Sequence, residues 1–328
     1  MAIAKANEIA NASAGGAAAG MRLSDIGRKY GIFLFLIVAI LTATIAAPAF
    51  LSPANISNML MQLAPLAIVV IGQTFVILVR GLDLSVASVM ATAAVIATSF
   101  HGQDSDAPAI LATCIVMGGA TGLANGILVT KRNVSPFLAT LATMIVLQGL
   151  RFAATQGAPS GNVPPLYRLL GSSTVFGVPY NLLVMAVLAI VFGILLHRAA
   201  FGRRVYITGG NPVTARLVGM SADRIIVACY VICGVLAASA GLILSGFVGV
   251  VDNFVGRGFE LDSIVAAVMG GVALSGGRGT IPGALAGATI LVVLSNAVVM
   301  VGMPVQLQII VKGIVIIVAA SLYVRTAR

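Results

Sequence analysis

The side chains of this chain that could do chemistry are scarce, and most of them are amides. Gln73, Asn125, Gln148, Asn296, Gln306 and Gln308 lie inside long apolar runs, with Lys312 close to the last two. A polar group at membrane depth is costly, so it marks either a pathway or a hydrogen bond between helices. Lys312 can also snorkel to an interface. No Asp or Glu falls centrally in such a run, which removes the carboxylate that proton- or sodium-driven carriers usually need. Gly276-Gly277-Arg278-Gly279-Thr280 superficially resembles a phosphate loop, but that loop requires G-x-x-x-x-G-K-[ST]. None of Lys5, Lys29, Lys131 or Lys312 stands in this context. The stretch reads as a tight turn, with Pro282 starting the next helix. Cys114, Cys229 and Cys233 all lie in apolar runs. Cys229 and Cys233 share a helix face, yet no His or carboxylate nearby completes a metal site. They are expected to be packing residues. No catalytic group and no metal ligand is expected anywhere in the chain.

One polar segment carries a complete helix code. Residues 209–219 read Gly-Gly-Asn-Pro-Val-Thr-Ala-Arg-Leu-Val-Gly. Asn211 is a good N-cap, and Pro212 suits the first helical position, where no N–H is needed. Gly219 suits the left-handed residue that ends a helix, and Ser221 can cap the next one. A two-turn helix is too short to be stable alone, so something should pack against it. Its surface mixes Val213, Leu217 and Val218 with Arg216. A docking knob for a soluble partner fits best, built on Gly210, Asn211, Pro212, Ala215, Arg216, Leu217 and Gly219. The plainer alternative is a connector resting on lipid headgroups.

The composition says what must position these groups. Of 328 residues, 59% are hydrophobic and 9% charged, and the mean hydropathy is +1.10. A soluble domain carries roughly 25% charged residues, so this chain could not cover a water-facing surface. An ordinary cytosolic enzyme, a disordered protein and a disulfide scaffold are excluded. The apolar runs are continuous rather than alternating, so the expected fold is an all-α integral membrane protein and not a β-barrel. We expect about ten spans: 31–50, 57–79, 84–100, 107–130, 134–154, 180–197, 225–250, 263–275, 281–301 and 305–323. The run at 263–275 is short and suits a tilted or half-length helix continuing beyond Gly276. Residues 1–30 read as a disordered cytoplasmic tail, 31–323 as one polytopic domain and 324–328 as a cytoplasmic C-terminus.

Charge tests this threading. Nineteen Lys and Arg against nine Asp and Glu give +10. In a soluble protein that would suggest nucleic acid; here it is topological, because cytoplasmic loops accumulate Lys and Arg. With both termini inside, fifteen of the basic residues fall inside and three, Arg151, Arg168 and Arg257, fall outside; Lys312 lies within the last span. Arg151 sits near an external helix end and needs no special role. Two long loops result, 155–179 outside and 198–224 inside. An internal echo links Gly81-Leu82-Asp83-Leu84 to Gly258-Phe259-Glu260-Leu261. Five crossings separate the two, so they would face opposite sides, as an inverted repeat requires. Two unrelated acidic helix starts would look the same over so short a match. Gly118, Gly122 and Gly126, and Gly283 and Gly287, recur at spacing four, which lets helices approach closely in lipid.

The 209–219 segment resembles the cytoplasmic coupling segment of permease subunits in bacterial ATP-binding cassette importers of the ribose and monosaccharide type, within the branched-chain amino acid and sugar permease superfamily. Gly72-Gln73-Thr74-Phe75-Val76-Ile77 with Gly81-Leu82-Asp83-Leu84-Ser85 matches the same family. So do Gly122 through Asn125-Gly126, Pro136-Phe137-Leu138-Ala139-Thr140-Leu141, Gly258 to Asp262, and Leu274-Ser275-Gly276-Gly277-Arg278-Gly279. The resemblance spans roughly residues 30–325. It implies a homodimeric pore in the bacterial inner membrane working by alternating access. It also implies a cytoplasmic ATPase that binds ATP and Mg, and a periplasmic or lipid-anchored sugar-binding protein. This chain would then hold no cofactor, hydrolyse nothing and touch only lipid and protein partners, with no nucleic acid. A sugar path should offer amides and hydroxyls without tight binding, which makes Gln73, Asn125, Gln148 and Asn296 the path candidates. The binding protein is expected to dock near Asp252, Arg257, Glu260 and Asp262. Branched-chain amino acids or nucleosides are the alternative cargo, and an ion-coupled secondary transporter is the rival from another class.

Overall fold

The computed structural model describes residues 36–304 except 39, together with 306, 307, 309, 310 and 313. The expected tail at 1–30, most of the span at 305–323 with Gln308 and Lys312, and the C-terminus at 324–328 lie outside the described residues. A leading apolar helix, Leu36–Ala46, covers part of the first expected span. The helices that follow are α1 (Pro53–Leu78), α2 (Val86–Thr98), α3 (Ala107–Lys131), α4 (Pro136–Thr155), α5 (Pro165–Ser172) and α6 (Tyr180–His197). Then come α7 (Ala200–Gly210), α8 (Pro212–Leu217), α9 (Ala222–Val248), α10 (Phe259–Met269) and α11 (Ile281–Met300). Among the described residues, six of these helices, α1, α3, α4, α6, α9 and α11, are long and apolar enough to cross a membrane. A full crossing needs about 20 residues, so α2 with 13 and α10 with 11 cannot cross alone. Each instead follows a break in the chain. The expected run at 263–275 is corrected here: α10 starts earlier and stops at Met269, because Gly271 takes φ +86° and the turn to Gly276 (φ +80°) and Gly277 (φ +70°) follows.

Between α4 and α6, the 155–179 connection folds locally into α5 and a hairpin, Thr174–Val175 against Val178–Pro179. Its turn places Phe176 and Gly177 at positive φ, the geometry that matches hairpin twist.

Contacts between elements define two ends of the bundle. At one, Arg80 reaches Gly209 and Gly210, Lys131 meets Asp223, and the Gly277 N–H donates to Leu78 O. At the other, Asn55 meets Asn296, Tyr167 Oη donates to Ala107 O, and Asn253 Nδ2 donates to Thr155 Oγ1. α1, α3, α6 and α10 therefore run toward the first end, and α2, α4, α9 and α11 run away from it. The trio α1–α2–α3 and the trio α9–α10–α11 have opposite senses. α9 packs on α1, α2 and α3, while α1 packs on α9, α10 and α11.

Glycine spacing sets how closely these helices approach. A Cβ added at Gly118 would stand 2.3 Å from Gly234 O, and one at Gly122 would stand 2.2 Å from Tyr230 O. At Gly126 it would stand 2.8 Å from Val227 Cα, so the α3–α9 seam is main chain against main chain over more than two turns. Gly283 and Gly287 do the same between α11 and α10, against Gly270 O at 2.3 Å and Ala266 O at 2.0 Å.

One interhelical amide explains an otherwise awkward proline. Pro65 lies inside α1 and has no N–H for the Met61 carbonyl four residues back. Asn181 Nδ2, from the first turn of α6, donates to Met61 O at 2.9 Å and to Gly171 O at 3.2 Å. A neighbouring helix thus satisfies the carbonyl that proline frees, as the bilayer demands. We expect Asn181→Leu to destabilise the detergent-solubilised protein by about 1–3 kcal/mol, seen as a lowered Tm. Pro65→Ala in the same background should recover part of the loss by restoring the helical donor; no recovery would contradict this pairing.

Candidate functional site

The segment at 209–219 folds as its residues dictate. Asn211 Oδ1 accepts from the N–H groups of Val213 at 2.9 Å and Thr214 at 3.2 Å, and Pro212 opens the helix. Gly219 takes φ +78°. Its N–H donates to Arg216 O and the Met220 N–H donates to Ala215 O, both at 3.0 Å, which is the paired C-terminal closure of a Schellman motif. Ser221 stands at the N-cap of α9, but its side chain makes no capping hydrogen bond. The expected cap there is therefore corrected: ψ of 76° does not present the hydroxyl to the first-turn amides.

α8 has a support that the sequence did not reveal, the helix α7. Arg80, at φ +66° just past the end of α1, donates from Nε to Gly209 O at 2.7 Å and from its guanidinium to Gly210 O. These are carbonyls of the last turn of α7, where a cation is favoured. Gly209 fits against Leu78 O so closely that a Cβ would stand 1.7 Å from it. Tyr206 Oη donates to Gly279 O at 2.7 Å, tying α7 to the turn before α11. Burial pushes the Tyr206 phenol up from its usual range, which keeps it a neutral donor. On the other side of α8, Arg216 donates to Asp223 Oδ1 at 2.9 Å, and Lys131 of α3 donates to Asp223 Oδ2 at 2.8 Å. Ala215 is fully buried, whereas Val213, Leu217 and Val218 are 63%, 81% and 65% exposed. Gly210, Asn211, Arg216 and Gly219 are exposed as well. The result is a short helix with an apolar outer surface, joined to α1, α3, α9 and the α10–α11 turn.

The path candidates fall in different places. Asn125 and Gln73 meet at the α1–α2 break. Thr143 Oγ1 donates to Asn125 Oδ1 at 2.7 Å, Asn125 Nδ2 donates to Ser85 Oγ at 2.9 Å, and Ser85 Oγ donates to Asp83 Oδ1. With its amide assigned to satisfy both neighbours, Gln73 donates to Asp83 O and accepts from Asp83 N. Asp83 is 1% exposed, and its second carboxylate oxygen has no partner among the described residues. In this conformation both amides hold the break in place. Asn296 forms a reciprocal amide pair with Asn55, both bonds 2.9 Å, at the opposite end, and Gln148 is half-buried on α4.

At that opposite end, Asp252 and Arg257 are exposed and Glu260 and Asp262 half-buried, all in or beside the α9–α10 break. Asp252 accepts from the Phe254 N–H at 2.8 Å, and the Arg257 guanidinium lies 5.9 Å from the Phe254 ring centroid. Glu260 accepts from the Gly258 N–H at 2.8 Å, so each break has an acidic side chain bonded to its own local backbone. Arg151 has more partners than its position in the sequence suggests. It is 6% exposed and donates to Ser88 O, Thr92 Oγ1 and Asn253 O, linking α4, α2 and this break.

Comparison with known proteins places this geometry. A family model described as branched-chain amino acid transport system / permease component matches residues 55–320. The ribose import permease protein of Bacillus subtilis is 39% identical over 304 residues, covering 92% of this chain and 94% of that protein. That of Escherichia coli is 35% identical, covering 89% and 92%. An L-arabinose ABC transporter permease protein of Azospirillum brasilense is 31% identical, covering 89% and 86%. No solved structure matches. The match over most of the chain, on an all-α bundle of membrane-length helices, shows that this chain belongs to the branched-chain amino acid transport system permease-component family, as a multi-pass membrane transport subunit.

Proposed function

We propose that this chain is the transmembrane subunit of an ATP-driven importer of a ribose-like monosaccharide. A second copy completes the pore, a cytoplasmic ATPase supplies ATP and Mg chemistry, and an external sugar-binding protein delivers the cargo. α8 carries this reading. It is capped at both ends, exposes Val213, Leu217 and Val218, and is fixed to both helix trios. A push on it would be transmitted to α1, α3, α9 and the α10–α11 turn together.

The end bearing α8 holds Arg80, Lys131, Arg132, Arg198, Arg203, Arg204, Arg216, Arg224 and Arg278, which supports a cytoplasmic location. The two opposed trios support an inverted repeat, with Asp83 and Glu260 at equivalent breaks. The end with Asp252, Arg257, Glu260 and Asp262 is then external, and the fully exposed Phe176 on its hairpin joins that docking surface. Gln73, Asn125, Gln148 and Asn296 border the path in states where the breaks rearrange. The relatives' printed names favour sugar over branched-chain amino acid as cargo.

The three native cysteines are buried and are replaced before testing. In that background Leu217→Cys should cross-link to the ATPase, and Asp104→Cys should react with an impermeant maleimide from outside intact cells. Labelling of Leu217→Cys from outside, with no ATPase cross-link, would overturn both the sidedness and the role of α8.

A further inference from the structure

We infer that the groove between α3 and α9 at the basic end holds one anionic phospholipid. The groove has a volume of about 450 Å³ and is lined by Lys131, Asp223, Arg224, Val227, Ala228, Val231 and Ile232. Its floor is apolar and its rim is charged. Val227 and Val231 form one row along α9, and Ala228 and Ile232 form the next. From Arg224 to Ile232 the helix rises about 12 Å, close to the roughly 15 Å that half a bilayer's hydrocarbon core spans. An acyl chain of one leaflet fits that depth, whereas a hydroxyl-rich solute would find no partner on the floor.

The rim selects the headgroup. Lys131 and Arg224 line the groove together with the single carboxylate of Asp223. Asp223 is shared by Lys131 and Arg216, and Arg224 is exposed with no ion pair among the described residues. A phosphate there meets an uncommitted guanidinium, the recurrent chemistry of basic pockets between membrane helices. A second copy of this chain seated in the groove is the competing occupant, and the disulfide arm of the test reads it.

The test uses the full chain purified in detergent and titrated, by native mass spectrometry, with phosphatidylglycerol and phosphatidylcholine of identical acyl chains. Wild type should retain one phosphatidylglycerol at least about fivefold more tightly than phosphatidylcholine. Arg224→Gln, at an exposed position, should reduce that preference about fivefold and leave phosphatidylcholine unchanged. Ala228→Phe, which fills the floor, should weaken both lipids. Equal binding of the two lipids, or a preference untouched by Arg224→Gln, would overturn the proposal. So would a disulfide between two copies carrying Ala228→Cys in the cysteine-free background, since that would put a second copy in the groove.

Discussion

Ala215→Pro is expected to abolish ATP-driven uptake while leaving the protein folded in the membrane. The Ala215 N–H donates to Asn211 O at 3.0 Å, one of the few bonds a six-residue helix has. Proline removes that donor and clashes with the preceding turn, at about 3 kcal/mol in a helix interior. α8 has no length with which to absorb the loss. The damage stays local, because α8 lies outside the helices that cross the membrane and its neighbours keep their own bonds. Arg80 still closes α7, and Lys131 still meets Asp223. We expect normal yield, normal elution on size exclusion, and loss of either ATPase co-purification or transport. Asn211→Ala is the graded comparison. It removes a cap worth about 1 kcal/mol and should reduce transport without abolishing it. Wild-type transport by Ala215→Pro would make α8 a passive connector.

Gly122→Val should fail differently, by preventing folding. A Cβ at Gly122 would stand 2.2 Å from Tyr230 O and 2.8 Å from Val231 Cα, both main chain of α9. α9 is the helix on which α1, α2 and α3 all pack, so it cannot retreat without parting from the others. The cost should exceed about 4 kcal/mol, in the range of severe core overpacking. Gly149→Val is the control. That glycine lies on α4 with nothing within 4 Å of an added Cβ, so valine there should be tolerated. The measurement is the monodisperse fraction recovered in detergent. Equal recovery of the two variants would contradict the main-chain seam.

Much of this was legible before the structure because it depended on local rules. Asn211, Pro212 and Gly219 encode the start and stop of α8 within a few residues, and each takes the role its chemistry suggests. The Gly118, Gly122 and Gly126 spacing foretold close approach, though not that α9 would be the partner. What escaped was non-local. The Asn181 bond to Met61 O answers a defect created by Pro65, and nothing in either segment names the other. In the sequence Arg80 counts only as a topological charge, yet its side chain closes α7, which itself reads as loop because two arginines and three glycines mask its apolar face. In the sequence Asp83 reads as half of an internal echo with Glu260, with an acidic helix start as the alternative. Its burial follows from the break folding inward against Gln73 and Ser85, which no periodicity reports. The end of α10 was misjudged because the apolar residues Val272, Ala273 and Leu274 continue past Gly271. Their hydropathy says membrane, while the positive φ of Gly271 says turn.

The most direct test of the central claim is uptake of labelled ribose into proteoliposomes holding this chain, its cognate ATPase and its binding protein. The chain alone should hydrolyse no ATP. Uptake should require ATP, the ATPase and loaded binding protein together, be abolished by vanadate and be indifferent to ion gradients. Uptake by the chain alone, driven by a proton or sodium gradient, would contradict that claim.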